Sequence, residues 1–143
     1  MTGFPTNQVT TIWRGADMPD LLPEGLEFTW RGGRFRHRPG GYTDGMSSPQ
    51  FVQCLPMIEA RGWAMLPAVA HDGGYHRAIE IYSDGEWKPF VLSKDDCDAM
   101  FYDLLLCVAG DDFHKRHLAK VFFDAVHFFG RSAYDAGGRE IPS

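Results

Sequence analysis

The sequence lacks the features by which several classes of protein are recognised. No apolar run approaches the roughly 20 residues that a membrane-spanning helix needs, and no basic segment followed by an apolar one marks a signal peptide at the N-terminus. The 14 Lys and Arg residues are outnumbered by 19 Asp and Glu residues, so the formal net charge is −5. We therefore expect no transmembrane segment, no signal peptide and no binding of nucleic acid through bulk charge.

Cysteine is scarce, and the chain shows no internal repeat or low-complexity segment. The three cysteines, Cys54, Cys97 and Cys107, are odd in number and match no metal-binding spacing, so we expect buried, reduced thiols. The 143 residues, of which 44% are hydrophobic and 14% aromatic, suit one globular domain that spans 1–143. Within it, residues 135–143 are expected to form a mobile tail.

The first third of the chain has the patterns of strands and turns. Residues 10–13 are a short β-like run, and residues 26–30 and 34–38 alternate apolar with polar side chains on either side of Gly32-Gly33. Two alternating runs around such a turn predict a β-hairpin. The segment around residues 87–91 is either a short strand or an extended loop.

Three helices are predicted in the rest of the chain. The first starts near Pro67 and runs to about residue 77, although Gly73 and Gly74 weaken it and suggest close approach to its backbone. The second follows an N-cap at Ser93 and ends near residue 108, with apolar residues at helical spacing. The third covers about residues 112–134, and its expected buried face comprises Leu118, Val121, Phe122, Ala125, Val126 and Phe129. The fold class is therefore α+β, a small N-terminal antiparallel sheet or hairpin packed on about three helices, which dominate the C-terminal two-thirds.

The strongest candidate site joins the first two helices. His71 and Tyr75 are four residues apart and share one face of the first helix, and Asp72 follows His71 directly. Asp98 lies beside the apolar stripe of the second helix, where a buried carboxylate needs a partner. If Asp98 accepts a hydrogen bond from one nitrogen of His71, the other nitrogen can act as a base on water. The alternative is a structural hydrogen-bond network that ties the two helices together.

Two further motifs have a functional and a structural interpretation. The loop at residues 43–49, with Asp44 as its carboxylate, offers the oxygen ligands that calcium prefers, or it is an Asx turn that satisfies local backbone groups. Arg34, Arg36 and Arg38 share one face of a strand. They form a phosphate site, or they are the charged face of a strand at a sheet edge.

A metal-dependent hydrolase is a further hypothesis. In it, His71 and Asp72 are metal ligands, and His37 or His127 completes the set. Imidazole and carboxylate are common ligands of catalytic metals, but His37 is predicted on a strand and His127 on the last helix, so the sequence does not fix their geometry.

Two resemblances arise at these residues. Gly41-Tyr42, the Thr-Asp-Gly-x-Ser-x-Pro-like segment at residues 43–49, His71-Asp72-x-x-Tyr75 and Asp98-x-x-Phe101 occur in this order in the chain. The sequence resembles, over about residues 26–134, a bacteriophage and prophage family of small proteins of unknown function. That resemblance implies a phage-encoded protein in the host cytoplasm or the virion, with another phage protein as a partner.

The His-Asp-x-x-Tyr segment with a helical Asp-x-x-Phe is also similar to the phospholipase A2 superfamily, especially its disulfide-free viral branch. That resemblance implies that His71 is the general base, that Asp98 orients it and that Tyr75 supports Asp98. It makes Asp72 a calcium ligand together with the loop around Asp44, and it implies a phospholipid ester as substrate. The paired cysteines of the secreted branch and the usual glycine-rich calcium loop are absent from this sequence.

Overall fold

The computed structural model describes residues 2–5, 20–22, 24–43 and 63–137. Within them the chain forms six strands and four helices. The strands are β1 (Asp20–Leu22), β2 (Leu26–Trp30), β3 (Gly33–His37), β4 (Gly41–Thr43), β5 (Ile79–Ser83) and β6 (Glu86–Pro89). The helices are α1 (Met65–Tyr75), α2 (Lys94–Ala109), α3 (Phe113–Phe129) and α4 (Arg131–Gly137). The fold class is α+β, with helices dominant in the C-terminal part.

The main sheet has four antiparallel strands in the order β2-β3-β5-β6, and β1 pairs separately with β4. Phe28 of β2 is opposite Phe35 of β3, which is opposite Ile81 of β5. Because side chains alternate along a strand, this row of apolar residues faces the helices. Two strands of the sheet, β5 and β6, therefore come from the chain after α1. The segment around residues 87–91, for which the sequence allowed either a strand or an extended loop, contains strand β6.

The predicted hairpin is present as β2 and β3. Its turn places Arg31 and Gly32 at φ of 50° and 80°, which is the left-handed conformation that two-residue hairpin turns require. Phe35 and His37 are buried, whereas the arginines of β3 lie on the other face. Strand alternation thus sets which side of this sheet meets the core.

Helix α2 packs between α1 and α3. Its N-cap is Ser93, whose hydroxyl accepts a hydrogen bond from the backbone N–H of Asp96 at 3.1 Å, as the sequence predicts. The predicted apolar stripe is entirely buried; it comprises Cys97, Met100, Phe101, Leu104 and Leu105. None of the helices described in the structure is long and apolar enough to cross a bilayer.

The last predicted helix is in fact two helices separated at Gly130. A methyl group on Gly130 would lie 2.5 Å from the hydroxyl oxygen of Tyr75, so this position brings the chain close to α1. The expected mobile tail starts at residue 135, whereas α4 continues to Gly137. Residues 138–143 lie outside the described part of the chain.

The buried face of α3 also differs from the prediction. Val121 and Phe129 were expected in the core, but they are 37% and 64% exposed. The residues of α3 that are buried are Ala119, Phe122 and Val126. They recur every three or four residues and pack in one cluster with side chains of α2, so contact with α2 decides which face of α3 turns inward.

Two of the three cysteines are described. Cys97 is buried, as expected, but Cys107 is exposed, so the expectation of a buried thiol there is wrong. Cys107 lies near the C-terminus of α2, outside the apolar stripe, and its thiol contacts the carbonyl oxygen of Thr2 at 3.1 Å. Cys54, the β-like run at residues 10–13 and Asp44 with the loop that follows it lie outside the described residues.

The glycine pair of α1 permits the close approach that the sequence suggests. A methyl group on Gly73 would lie 2.5 Å from Cδ2 of His37 and 3.0 Å from Cδ1 of Ile79. On Gly74 it would lie 2.7 Å from Sγ of Cys97. The sheet therefore packs on one glycine and α2 on the other, and α1 is held between them.

We expect Gly73→Ala to destabilise the fold by about 1–2 kcal/mol. The added methyl group overpacks a buried contact, which typically costs about 1–3 kcal/mol, and this exceeds the gain of up to about 1 kcal/mol in helix propensity. Urea denaturation measures the change. His114→Ala, on the exposed side of α3, is the control and should change stability by less than about 0.5 kcal/mol. A Gly73→Ala variant as stable as the wild type would contradict the proposed close packing.

Candidate active site

The candidate site lies where α1 and α2 pack against each other. His71 and Tyr75 are one helical turn apart and both are buried on the side of α1 that meets α2. Asp98 lies in the second turn of α2, in the buried stripe beside Cys97. The helical periodicity of both segments thus brings the three predicted residues together.

The three side chains form one hydrogen-bonded group. Nε2 of His71 lies 2.9 Å from Oδ1 of Asp98, and the hydroxyl of Tyr75 donates a hydrogen bond to the same oxygen at 2.7 Å. An ionised carboxylate only accepts hydrogen bonds, so Nε2 of His71 carries a proton. In the neutral imidazole the lone pair is then on Nδ1, which is the tautomer that a general base needs.

Lys94 also belongs to this group, although it is not among the site residues predicted from the sequence. Its Nζ donates to Oδ2 of Asp98 at 2.6 Å and to the backbone carbonyl oxygens of Val126 and His127 at 3.2 Å and 3.0 Å. The spacing of four residues between Lys94 and Asp98 indicates an ion pair on one helix. The two carbonyls are at the C-terminal end of α3, and no sequence pattern predicts that contact.

The surroundings of Asp98 favour the ionised form of its carboxyl group. Burial by itself raises the pKa of this carboxyl, but the hydrogen bonds from His71 and Lys94 outweigh burial and leave the pKa below its ordinary value of 3.8. Burial, followed by the hydrogen bond to Asp98, raises the pKa of Tyr75 far above its usual range. Asp98 is therefore an anion and Tyr75 a neutral donor at neutral pH.

The imidazole of His71 is enclosed. Its side chain is 3% exposed, with the ring of Tyr75 at 4.1 Å and the ring of Phe101 at 4.7 Å between centroids. Such packing fixes the orientation of the ring. It also restricts the approach of solvent to the ring, and the hypothesis of a general base requires that approach.

Asp72 contacts a different histidine, His76. Its Oδ1 is 3.2 Å from Nε2 of His76, one turn further along the chain. Within the described ranges, no group of three or more His, Cys, Asp or Glu side chains is arranged to hold a metal ion. The same finding gives no support to a metal centre that includes His37 or His127. Asp44 and the loop that follows it lie outside the described residues, so a calcium site that combines them with Asp72 stays a prediction.

The arginines of β3 are paired with carboxylates. Nε of Arg34 donates to Oε1 of Glu27 at 2.7 Å, and Nε of Arg36 donates to Oε1 of Glu80 at 2.7 Å. The guanidinium of Arg36 also lies 4.4 Å from the ring centre of Trp87. Because β3 lies between β2 and β5, it is an internal strand, and the interpretation as a sheet edge is wrong. The paired charges do not favour the phosphate site either.

A double-mutant cycle tests whether Lys94 and Asp98 act as one unit. Asp98→Asn leaves a buried ammonium without its anion, and we expect a loss of about 3–5 kcal/mol in stability. Lys94→Met leaves the carboxylate without its cation, and the double variant removes both charges. We therefore expect the double variant to lose at least about 1 kcal/mol less than the sum of the single losses. Urea denaturation of the four proteins measures this coupling, and additive losses would contradict it.

Stability should also depend on pH through Asp98. Because the folded carboxyl has the lower pKa, the unfolded state takes up its proton first as the pH falls. The contribution is fully present above the unfolded pKa of about 3.8 and is lost as the pH falls through the folded pKa. The stability difference between the wild type and Asp98→Asn should therefore be constant near neutral pH and shrink in this acidic range. Urea denaturation across the range measures it, and a constant difference would contradict the shift.

Comparison with known proteins identifies no relative of this chain. No protein-family model matches the chain, and neither a curated protein nor a solved structure matches it. The two resemblances given above therefore depend on the quoted residues alone. What the structure contributes is the arrangement of His71, Tyr75 and Asp98 and the added ion pair with Lys94.

Proposed function

We propose that the protein is a hydrolase that cleaves an ester bond of a phospholipid, with His71 as general base and Asp98 as the carboxylate that orients it. The observation that carries this proposal is the distance of 2.9 Å between Nε2 of His71 and Oδ1 of Asp98. Such a contact selects the tautomer in which Nε2 carries the proton and Nδ1 can accept another one. The hydroxyl of Tyr75 on the same oxygen supports the assignment, because it limits rotation of the carboxylate.

The residues of the chain have distinct roles in this reaction. Nδ1 of His71 takes a proton from a water molecule as the water attacks the ester carbonyl carbon, and the carboxylate of Asp98 stabilises the imidazolium that forms. The proton then passes from His71 to the departing alkoxide, which restores the neutral ring. Lys94 and Tyr75 hold Asp98 in place.

The substrate class and calcium come from the resemblance to the phospholipase A2 superfamily. There, calcium polarises the ester carbonyl, and here Asp72 and Asp44 would be among its ligands. No step above depends on the ion. The likeness to phage proteins supports an origin in a bacteriophage and a place of action in the host cytoplasm or the virion.

A second candidate function is favoured by a different observation. Lys94 and Asp98 link three helices, and the ring of His71 is packed between aromatic side chains. The same network would also brace a non-enzymatic phage protein with a role in structure, assembly or lysis. In that function, His71 contributes to stability alone.

Hydrolysis of phospholipid vesicles distinguishes the two functions. We expect the wild type to release fatty acid in the presence of calcium, and we expect His71→Gln to be at least about 100-fold slower because it lacks the base. His114→Ala on the exposed side of α3 is the matched control and should retain full activity. Circular dichroism confirms that each variant is folded.

Each result has a clear meaning for the proposal. No release by the wild type, or equal rates for the wild type and His71→Gln, rejects the hydrolase and leaves the structural function. Unchanged release after calcium is removed with EDTA rejects calcium as the cofactor but retains the role of His71.

A further inference from the structure

A second histidine approaches the carboxylate of Asp98. Nδ1 of His127, in the last turn of α3, lies 3.7 Å from Oδ2 of Asp98, whereas Nε2 of His71 lies 2.9 Å from Oδ1. The side chain of His71 is 3% exposed, but that of His127 is 41% exposed. One buried carboxylate is therefore shared by an enclosed imidazole and by an imidazole that solvent reaches.

Lys94 fixes the position of His127 relative to Asp98. Its Nζ donates to Oδ2 of Asp98 at 2.6 Å and to the backbone carbonyl oxygen of His127 at 3.0 Å. The imidazole also stacks on the ring of Phe123, with 5.3 Å between the centroids and 13° between the planes. Both the last turn of α3 and the imidazole ring are therefore held beside the carboxylate.

The orientation of the ring makes Nε2 of His127 available as a base. A carboxylate beside Nδ1 favours the tautomer that carries its proton on Nδ1, so the lone pair of the neutral ring is on Nε2. The separation of 3.7 Å exceeds that of a hydrogen bond. Contacts between catalytic side chains are often long before substrate binds and shorten in the complex. The ring of His127 thus has the arrangement of a base with its carboxylate, and solvent reaches it without movement of the helices.

Aromatic side chains beside His127 indicate which class of substrate fits. The ring of Phe123 lies 5.2 Å from the ring of Tyr102 between centroids, and both side chains are half-buried. An aromatic group can pack on such rings in an offset or edge-to-face arrangement. The surface next to the imidazole therefore suits a small ester with an aromatic group.

We propose that His127 is a second general base at Asp98, which acts from the solvent side on a small, water-soluble aryl ester. Its Nε2 takes a proton from a water molecule as the water oxygen bonds to the carbonyl carbon. The bond from that carbon to the aryl oxygen then breaks, and the proton passes from His127 to the departing oxygen. This inference rests on the proposed hydrolysis of an ester, but it assigns a different base and a different class of ester.

Hydrolysis of 4-nitrophenyl acetate by the full chain tests the role of His127. We expect His127→Gln to be at least about 10-fold slower than the wild type, because glutamine keeps the backbone contact with Lys94 but supplies no base. His117→Gln, at an exposed position of the same helix, is the matched control and should retain the rate of the wild type. Circular dichroism confirms that each variant is folded.

Recovery by free imidazole separates a base from a structural side chain. His127→Ala leaves an opening at the surface that imidazole can occupy. We therefore expect added imidazole to restore at least about one tenth of the wild-type rate. Hydrolysis by imidazole alone is measured without protein and subtracted. A side chain that only braces α3 would give no such recovery.

The outcomes separate this inference from the proposed phospholipid hydrolase. A slow His127→Gln variant, with recovery of His127→Ala by imidazole, supports His127 as a base. Equal rates for the wild type and His127→Gln, or no recovery by imidazole, overturn it and leave His71 as the base on phospholipid. Hydrolysis of 4-nitrophenyl acetate that depends on His127, without release of fatty acid from phosphatidylcholine vesicles, supports the inference and rejects phospholipid as the substrate. A wild type that hydrolyses neither substrate overturns both proposals.

Discussion

A single buried carboxylate constrains the arrangement of the helices. Asp98 accepts hydrogen bonds from His71 and Tyr75 of α1 and from Lys94 of its own helix. Lys94 also donates to two carbonyls at the C-terminal end of α3. A buried ion is costly unless its hydrogen bonds are complete, so the positions of α1, α2 and α3 are coupled through this one group.

The backbone of α1 makes that coupling possible. Gly73 and Gly74 have no side chains, and their neighbours on the sheet and on α2 occupy the space that a methyl group would need. The helix can therefore lie close to α2, which brings His71 within hydrogen-bond distance of Asp98. The poor helix propensity of two adjacent glycines is offset by the packing and by the polar contacts that this approach allows.

The same hydrogen-bond network is compatible with a catalytic general base and with a purely structural role. Access of solvent to Nδ1 of His71 distinguishes these two functions. A catalytic His71–Asp98 pair needs a fixed tautomer and a route for water, whereas a structural network needs only complete hydrogen bonds. Aromatic packing on His71 provides rigidity in both cases.

Periodicity in the sequence was sufficient to predict the hairpin, the buried stripe of α2 and the shared face of His71 and Tyr75, because these depend on local geometry. It also indicated Asp98 as their partner, since a carboxylate in an apolar stripe needs a donor. The orientation of α3, with Val121 and Phe129 turned outward, depended on contact with α2. The carbonyls that receive Lys94 and the enclosure of His71 were likewise decided by the tertiary structure, because residues far apart in the chain meet only after the helices pack.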